Sequence, residues 1–425
     1  MRIAFTTLGC KINQFESDVI RQDLQSRGNT IVPFDEEADV YIINTCTVTA
    51  KTDTQCRNAI RAATLRNSKA SVVVTGCYAE TRPEEIRNIP GVNLVFGNRD
   101  KDVIVDHIMS AASPATGKSM AAADAVRHMT VHSKTRGFLK IQDGCDNRCT
   151  YCIVPLARGN SRSAAPLDVL REFERLVRSG RTEVVLTGIH IGTYGSDIEK
   201  GLTLTEMVRR LLEAREGTRL RLSSIEPREV TDELIGFLGK GMCRHLHIPL
   251  QSGDDAILAS MKRNYTADYY LNLIEKISKQ VPGAALGADV MVGFPGEGEK
   301  EFQNTMRLIE QSPLTHLHVF SYSPRPGTLA AEMKHQVSAQ QKRERSAAIR
   351  SLGLKKNMDF RQKNLGSELF VVVEDKADVN SGLFTGLTDN YIRVQLLGSH
   401  TGHIGKKLKI CIKEVKKDSN FACIL

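Results

Sequence analysis

Three short apolar segments near the start of the chain each lead into a cysteine. "RIAFTTL" (2–8) reaches Cys10 through one glycine, "DVYIINT" (39–45) reaches Cys46, and "SVVVTG" (71–76) reaches Cys77. Helical patterns separate the three segments, which predicts parallel strands of an open α/β sheet. The carboxyl ends of parallel strands form one ligand-binding edge of such a sheet. The three cysteines are therefore expected to meet at that edge.

The helical stretches between these strands carry two further features. The first stretch, 13–28, is predicted to begin with Asn13 and Glu16 in capping-box spacing. The second, from about residue 52 to residue 67, contains Cys56. Because Cys56 lies inside a helix and not after a strand, we interpret it as a packed cysteine outside the site. The same interpretation applies to three isolated cysteines, Cys243, Cys411 and Cys423.

Length and composition limit the class of protein. With 425 residues the chain exceeds one compact core and predicts two or three domains. A hydrophobic content of 41% and a charged content of 25% are ordinary for a globular protein and exclude a disordered, fibrous or membrane-embedded chain. No secretory or membrane-spanning segment is expected, so a cytoplasmic location follows, where clustered cysteines favour metal binding over disulfides. The net charge of +9 favours a polyanionic partner.

The rest of the chain divides into two further predicted domains. After a linker rich in Ala, Ser and Gly (109–126), six apolar segments alternate with helical patterns and predict an incomplete (βα)6 barrel with an open side. Short strands separated by Gly, Asp and Asn then predict a small antiparallel β-barrel rich in lysine. The predicted domains are an N-terminal open parallel α/β domain (1–112), the partial barrel (131–362) and the small barrel (363–425).

The first strand of the central barrel leads into "DGCDNRCTYC" (143–152), where Cys145, Cys149 and Cys152 share one loop. Three thiolates on one loop can hold three irons of a four-iron cluster and leave the fourth iron open. A structural zinc site is the alternative, but zinc normally takes four ligands paired as CxxC with a second pair, and no second pair lies nearby.

This loop resembles the signature of the radical S-adenosylmethionine (radical SAM) superfamily, CxxxCxxC with an aromatic residue, here Tyr151, before the last cysteine. The resemblance implies that the open iron chelates S-adenosylmethionine, whose reductive cleavage yields a 5'-deoxyadenosyl radical. The protein would then supply orientation and exclude side reactions.

The whole chain resembles the methylthiotransferase family of that superfamily, which combines an N-terminal cluster domain, a radical SAM core and a C-terminal RNA-binding TRAM barrel. The family's N-terminal ligands fall on Cys10, Cys46 and Cys77. The resemblance therefore implies two [4Fe-4S] clusters, the second of which presents sulfur to the substrate. It also implies an electron donor and a sulfur source as partners.

Several tracts after the core strands match the family and are expected to line the S-adenosylmethionine pocket. They are "TGIHIGTYG", "LSSIEP", "HLHIPLQSG", "MVGFPGE" and "SYSPRPGT". Barrel enzymes place their sites at these strand ends. The expected contact residues are Thr187, Gly188, Glu226, Gln251, Ser252, Gly293, Phe294 and Pro295.

The N-terminal motifs resemble the branch that acts on tRNA bearing N6-threonylcarbamoyladenosine at position 37. Lys11 follows the first cysteine, where the isopentenyladenosine branch has Gln, and Thr47 follows the second, where that branch has Ser and the ribosomal-protein branch has Gly. The implied reaction replaces the C2 hydrogen with a methylthio group. Isopentenyladenosine-37 tRNA and a ribosomal protein are the alternative substrates. The tRNA anticodon stem-loop is expected to contact the C-terminal barrel, the basic helix before it, and Arg158 and Arg162.

Two other hypotheses remain open from the sequence. The chain could be a non-catalytic RNA-binding module whose cysteines hold zinc, or a radical enzyme whose N-terminal cluster only transfers electrons. The histidine pairs 245/247 and 316/318 alternate along strands, so each pair is expected to point one way and to pack as ordinary core histidines.

Overall fold

A computed structural model describes residues 1–112, 130–131, 135–398 and 401–425, so the predicted linker lies largely outside the described residues. The chain forms two compact units. The first unit joins Met1–Val131 with the cysteine loop Asp143–Arg162 and with Ser323–Ala331; the second contains His132–Gln142, Ser163–Tyr322 and Glu332–Leu425. The cysteine loop therefore folds with the N-terminal part of the chain.

The first unit is built on a parallel sheet of five strands in the order β2-β1-β3-β4-β5. The three strands predicted before cysteines are all present. The strands are β1 (Arg2–Thr7), β2 (Thr30–Val32), β3 (Val40–Thr45), β4 (Ser71–Gly76) and β5 (Val92–Val95). The helices are α1 (Lys11–Ser26), α2 (Ala50–Arg66), α3 (Cys77–Thr81), α4 (Pro83–Arg87) and α5 (Ile104–Ala112).

The alternation of side chains along these strands gives the sheet two buried faces. Ile42 and Val73 pack on one face with α1 and α5, whereas Tyr41 and Val74 pack on the other with α2. A sheet covered on both sides is typical of parallel α/β folds and leaves its carboxyl edge for function.

The start of α1 differs from the prediction. Cys10 is the N-cap and its side chain makes no capping hydrogen bond, so the helix begins before Asn13. The predicted capping box is therefore wrong: Asn13 and Glu16 are buried inside the helix instead of closing its end.

The second unit contains six parallel strands in two arcs. β7 (Gly137–Lys140), β10 (Glu183–Thr187) and β11 (Arg219–Leu222) form one arc, and β12 (His245–His247), β13 (Ala285–Val292) and β14 (His316–Ser321) form the other. Isolated parallel bridges from Leu220 to Met242 and from Ser224 to His247 join the arcs. The predicted six-stranded partial barrel is confirmed.

The remaining elements are short strands, helices and single turns. Short strands are β6 (Thr130–Val131), β8 (Gln142–Asp143) and β9 (Arg162–Ser163). The helices are α6 (Val154–Arg158), α7 (Pro166–Arg178), α8 (Leu204–Glu213), α9 (Asp232–Phe237), α10 (Asp255–Ser260), α11 (Ala267–Gln280), α12 (Glu299–Gln311), α13 (Leu329–Glu332) and α14 (Ala339–Lys363). Single 3-10 turns occur at Lys101–Val103, Ile191–Thr193, Pro227–Glu229 and Thr401–His403.

The C-terminal part of the second unit is a closed five-stranded barrel, as predicted. Its strands are β15 (Glu368–Ala377), β16 (Phe384–Thr388), β17 (Arg393–Leu396), β18 (Lys407–Val415) and β19 (Asn420–Ile424), in the order β15-β16-β17-β19-β18. One pairing, between β17 and β19, is parallel and the others are antiparallel. Among the described residues, no helix combines the length and apolar character needed to cross a membrane.

Candidate active site

The structure brings Cys10, Cys46 and Cys77 to the carboxyl edge of the N-terminal sheet. Cys10 is exposed ahead of α1, Cys46 is buried after β3, and Cys77 is the buried first residue of α3. The pKa of Cys46 is raised to about 12, first by burial and then by the neighbouring thiols of Cys77, Cys10 and Cys56. Thiols this close become thiolates together only when a cationic centre offsets their repulsion. The donor set therefore fits an iron–sulfur cluster.

The backbone before Cys10 comes close to the second thiol. Gly9 has a φ of +104°, and a Cβ at that position would lie 2.6 Å from the Cβ of Cys46 and 2.8 Å from its Sγ. Only glycine allows both the left-handed conformation and this approach. Gly9 is thus part of the geometry that lets the first and second thiols meet.

Asparagine side chains brace the same edge. The amide nitrogen of Asn13 donates to the carbonyl oxygens of Leu8 and Thr45, both at 2.9 Å, which ties the loops before Cys10 and Cys46 to each other. The amide nitrogen of Asn98 lies 3.6 Å from the Sγ of Cys77. Such outer contacts orient the ligands of a metal site.

Cys56 lies close to the three thiols but is enclosed by the helix that carries it. It is fully buried inside α2, and its thiol donates to the carbonyl oxygen of Cys46 at 3.4 Å. Burial raises its pKa to about 12. The contact agrees with the interpretation of Cys56 as a packed residue.

Cys145, Cys149 and Cys152 are half-buried on the second cysteine loop. The loop closes on itself, because the N–H of Cys145 donates to Gly159 O at 3.1 Å and the N–H of Cys152 donates to Cys149 O at 3.0 Å. Gly144, at a φ of +72°, has no room for a Cβ beside the carbonyl of Asn160. The structure thus places three accessible thiols on one compact loop, a donor set that fits three irons of a four-iron cluster.

Arg158, at the end of the helix that follows this loop, is not available to RNA. It is 3% exposed and forms ion pairs with Glu16 at 2.8 Å and with Asp143 at 3.1 Å. The prediction that Arg158 contacts RNA is therefore wrong, because both carboxylates hold it inside the first unit. Arg162 keeps a half-exposed side chain.

The residues expected to line the S-adenosylmethionine pocket lie at the carboxyl ends of strands in the second unit. Glu226 forms an ion pair with Arg263, and its backbone N–H lies 3.3 Å from a carboxylate oxygen of Glu229. Glu229 in turn contacts His190 at 2.5 Å. Burial raises the pKa of Glu226, which Arg263 and His190 partly oppose. The sequence indicated Glu226 but gave no role to the other three residues.

The other residues expected at the pocket differ in burial and in backbone conformation. The side chains of Thr187, Ser252 and Phe294 are almost fully buried. Gln251 has a φ of +62°, and the backbone N–H of Gly293 donates to Glu297 at 2.8 Å. Gly188 and Pro295 follow the ends of β10 and β13.

Sequence reasoning missed a polar group formed by His247, Asp289 and His318. They stand on neighbouring strands, and Asp289 Oδ1 lies 3.0 Å from His247 and 3.4 Å from His318. One ring nitrogen of each histidine and one carboxylate oxygen of the aspartate all lie within 4.8 Å of one another. Burial would raise the pKa of Asp289, but the two histidines outweigh it and hold that pKa well below its usual range.

The histidines two positions earlier on the same strands pack against the C-terminal barrel. His245 stacks on Tyr391 with ring centroids 4.0 Å apart, and His316 meets the same ring edge-on at 5.4 Å. The packing interpretation is therefore confirmed for His245 and His316, whereas His247 and His318 meet at Asp289. The alternation of side chains along the strands indicated that each histidine pair shares a face. The sequence did not show which residues of neighbouring strands lie side by side, so it could not place Asp289 between His247 and His318.

Comparison with known proteins agrees with this arrangement. Residues 2–97 match the uncharacterized protein family UPF0004, and residues 139–309 match the radical SAM superfamily. The threonylcarbamoyladenosine tRNA methylthiotransferase MtaB of Bacillus subtilis strain 168 is 40% identical over 422 residues, which cover 96% of this chain and 93% of the relative. The chain belongs to the radical SAM methylthiotransferase family.

Membership in this methylthiotransferase family brings S-adenosylmethionine and a [4Fe-4S] cluster as cofactors. A tRNA-2-methylthio-N(6)-dimethylallyladenosine synthase of Alkaliphilus oremlandii is 30% identical over 426 residues, with 97% of this chain and 90% of the relative covered. The fold is similar to that of the radical S-adenosylmethionine methyltransferase TsrM from Kitasatospora setae. That comparison has a TM-score of 0.57 and 14% identity, and covers 78% of this chain and 77% of the other.

Proposed function

We propose that this methylthiotransferase acts on tRNA and replaces the C2 hydrogen of N6-threonylcarbamoyladenosine at position 37 with a methylthio group. The observation that carries the proposal is the presence of two separate groups of three thiols in the first compact unit. The substrate is supported by the 40% identity to a relative named for it, against 30% to a relative named for dimethylallyladenosine.

The two thiol groups have different proposed roles. Cys145, Cys149 and Cys152 hold the cluster that binds S-adenosylmethionine, and a second cluster is held by Cys10, Cys46 and Cys77. When bound, the first cluster would supply a carbon-centred radical from one S-adenosylmethionine molecule, and the second would present sulfur that takes its methyl group from a second S-adenosylmethionine molecule. The C2 hydrogen has no useful acidity, so a side-chain base offers little for its removal. The chain's own part is to hold the reactants and exclude water.

The proposed S-adenosylmethionine contacts are the residues expected from the sequence. Glu226, oriented by Arg263, is the charged group among them. Thr187, Ser252 and Phe294 would form the buried wall, and Gln251 and Gly293–Pro295 would line the turns beside it. Gly188 allows close packing at the end of β10, where a Cβ would lie 2.7 Å from Ile191 Cγ2 and 2.9 Å from Gln142 O.

The proposed partners follow from the same function. The anticodon stem-loop of tRNA would lie against the lysine-rich C-terminal barrel and the basic helix α14. An external electron donor and an external sulfur source are required, since reductive cleavage of S-adenosylmethionine takes up an electron and each product molecule takes up a sulfur atom. A tRNA substrate also implies a cytoplasmic location.

Iron analysis combined with nucleoside analysis tests the proposal. Anaerobically purified protein is expected to hold about eight irons and eight sulfides per chain. Cys10→Ala should reduce the iron content to about four, retain reductive cleavage of S-adenosylmethionine and abolish sulfur insertion. Cys56→Ala is the control, because this buried cysteine also lies beside Cys46 but is not one of the proposed ligands, so the variant should keep all the iron.

The outcomes separate the alternatives. Zinc without sulfide would overturn the enzymatic role, and full sulfur insertion by Cys10→Ala would reduce the N-terminal cluster to electron transfer. Mass spectrometry of tRNA nucleosides from cells lacking the gene should show no methylthiolated threonylcarbamoyladenosine. A loss confined to methylthiolated isopentenyladenosine, or to a modified ribosomal protein, would reassign the substrate.

A further inference from the structure

The two thiol groups are joined by a buried polar network inside the first unit. Its centre is Arg158, which lies six residues beyond Cys152 and reaches Glu16, a residue 142 positions earlier in the chain. Arg158 also donates to the side-chain oxygen of Asn13 at 2.8 Å and to Asp143 at 3.1 Å. One guanidinium thus contacts α1 and the start of the second cysteine loop at the same time.

Asn13 transmits this contact to the N-terminal thiols. Its side-chain oxygen accepts from Arg158, while its side-chain nitrogen donates to Leu8 O and Thr45 O. Those two carbonyls stand directly before Gly9–Cys10 and before Cys46. The oxygen of Asn13 also lies 3.7 Å from the Sγ of Cys10. Asn13 therefore contacts both Arg158, which follows the second cysteine loop, and the backbone that leads into Cys10 and Cys46.

A second bridge runs beside the first. The amide nitrogen of Asn98 donates to Ala157 O at 2.7 Å and lies 3.6 Å from Cys77 Sγ. Ala157 and Arg158 are consecutive residues of α6. The helix that follows the second cysteine loop is thus fixed at two adjacent residues to the surroundings of all three N-terminal thiols.

Charge compensation makes the network rigid. Glu16 receives Arg158 on one side and Lys101 on the other, and Lys101 is itself buried. Arg158 and Lys101 thus each face a carboxylate, and Asp143 also lies 4.0 Å from Arg162. Ion pairs excluded from water are costly to separate, which favours one fixed arrangement.

We propose that Arg158 is a positioning residue that sets the separation of the two cluster sites. This inference rests on the proposed function, because it requires both thiol groups to hold clusters. With this separation fixed, the radical formed at one site acts on a substrate that is within reach of the sulfur held at the other site. When the link is weakened, S-adenosylmethionine is still cleaved, but the 5'-deoxyadenosyl radical takes a hydrogen atom from the external reductant or a buffer component, so 5'-deoxyadenosine is released without sulfur insertion.

The test compares Arg158→Gln with Arg27→Gln, a control at the end of α1 opposite to Cys10, where the half-exposed side chain pairs with Asp23 and Asp106. In Arg158→Gln the iron content should stay at about eight per chain. The ratio of 5'-deoxyadenosine released to methylthio product should rise by about 10- to 100-fold, as expected for a small misplacement of reacting groups. The magnetic interaction between the two reduced clusters, measured by electron paramagnetic resonance, should weaken. Arg27→Gln should match the wild type in all three measurements.

A wild-type ratio and an unchanged magnetic interaction in Arg158→Gln would overturn the inference. If this variant loses iron or does not fold, Arg158→Lys decides, because lysine keeps the charge but cannot form the same fork of hydrogen bonds. A raised ratio in iron-replete Arg158→Lys supports positioning, and a wild-type ratio refutes it. A wild-type iron content of only about four per chain would instead refute the proposed function.

Discussion

Arg219 contacts Glu183 at 2.7 Å and, through its other nitrogens, donates to the carbonyl oxygens of Phe370 and Leu387 at 2.8 Å. The ion pair therefore belongs to the partial barrel, and the carbonyls belong to the C-terminal barrel. Arg221 repeats the pattern, with Glu183 at 2.9 Å and Thr388 O at 2.9 Å. A buried glutamate thus organises the junction of the two barrels.

Glu183→Gln is expected to destabilise the second unit strongly. Burial alone would raise the pKa of Glu183, but Arg221 and Arg219 outweigh it and hold that pKa well below its usual range. Removal of the carboxylate leaves two buried guanidinium groups without a counter-charge and should cost about 3–5 kcal/mol in urea unfolding. Glu174→Gln, which removes a half-exposed pair with Arg178, should cost at most about 1 kcal/mol. Equal losses in the two variants would contradict this account.

Acidification should weaken the packing of His316. Burial, with nearby His318 and His247, lowers the pKa of His316 to about 4. The unfolded histidine has a pKa of about 6.5, so the unfolded state binds the extra proton between these values and stability falls as the pH falls. Above about pH 6.5 the contribution is complete, and below about pH 4 roughly 3 kcal/mol has been lost.

The pH series that checks this compares His316→Gln with the wild type. The variant should lose about 3 kcal/mol less than the wild type between pH 6.5 and pH 4. His107→Gln, on the exposed side of α5, should follow the wild type. A His316→Gln curve parallel to that of the wild type would show that this histidine is not the source.

Gly9→Ala is expected to disturb the N-terminal thiol group specifically. The new methyl group would collide with Cys46, so the iron content should fall from about eight to about four per chain. Gly28→Ala is the control: Gly28 also has a positive φ, of +81°, but nothing lies within 4 Å of the added Cβ. It should cost about 1–2 kcal/mol of strain and keep the iron. Iron loss in both variants would point to general instability.

RNA affinity should depend on exposed lysines of β18 and the turn after it. Lys413 and Lys417 are both exposed there. Replacement of both by Gln should lower the slope of log affinity against log salt by about 2, measured with an anticodon stem-loop between about 50 and 200 mM salt. Lys279→Gln, on α11, should leave the slope unchanged. An unaltered slope in the double variant would place the RNA elsewhere.

The sequence predicted those parts of the molecule that follow from local pattern. The strands before Cys10, Cys46 and Cys77 have an apolar run and a clear end, and the edge rule for parallel sheets then brings the thiols together. The six core strands were recognisable for the same reason. The C-terminal barrel was also expected, although its last strand, Asn420–Ile424, was not among the predicted segments.

Contacts between distant residues were out of reach. In the sequence, an arginine close to a cysteine loop is what an RNA-contacting residue would look like. Only the ion pair with buried Glu16 shows that Arg158 faces the protein interior. Glu16 itself matched a helix cap. The partners are 142 residues apart, and no periodicity links them. Asp289 was hidden for a similar reason, since its two histidines lie on separate strands.

The folding of Asp143–Arg162 with residues 1–131 limits how the gene can be divided. A recombinant fragment that starts at residue 131 would retain Arg158 and lose Glu16 and Asn13, so a buried cation would face solvent or empty space. A chimera that exchanges the N-terminal segment between relatives would need matching residues at positions 13, 16 and 158. The cysteine loop and the N-terminal segment must therefore be exchanged together as one folding unit, although they are far apart along the chain.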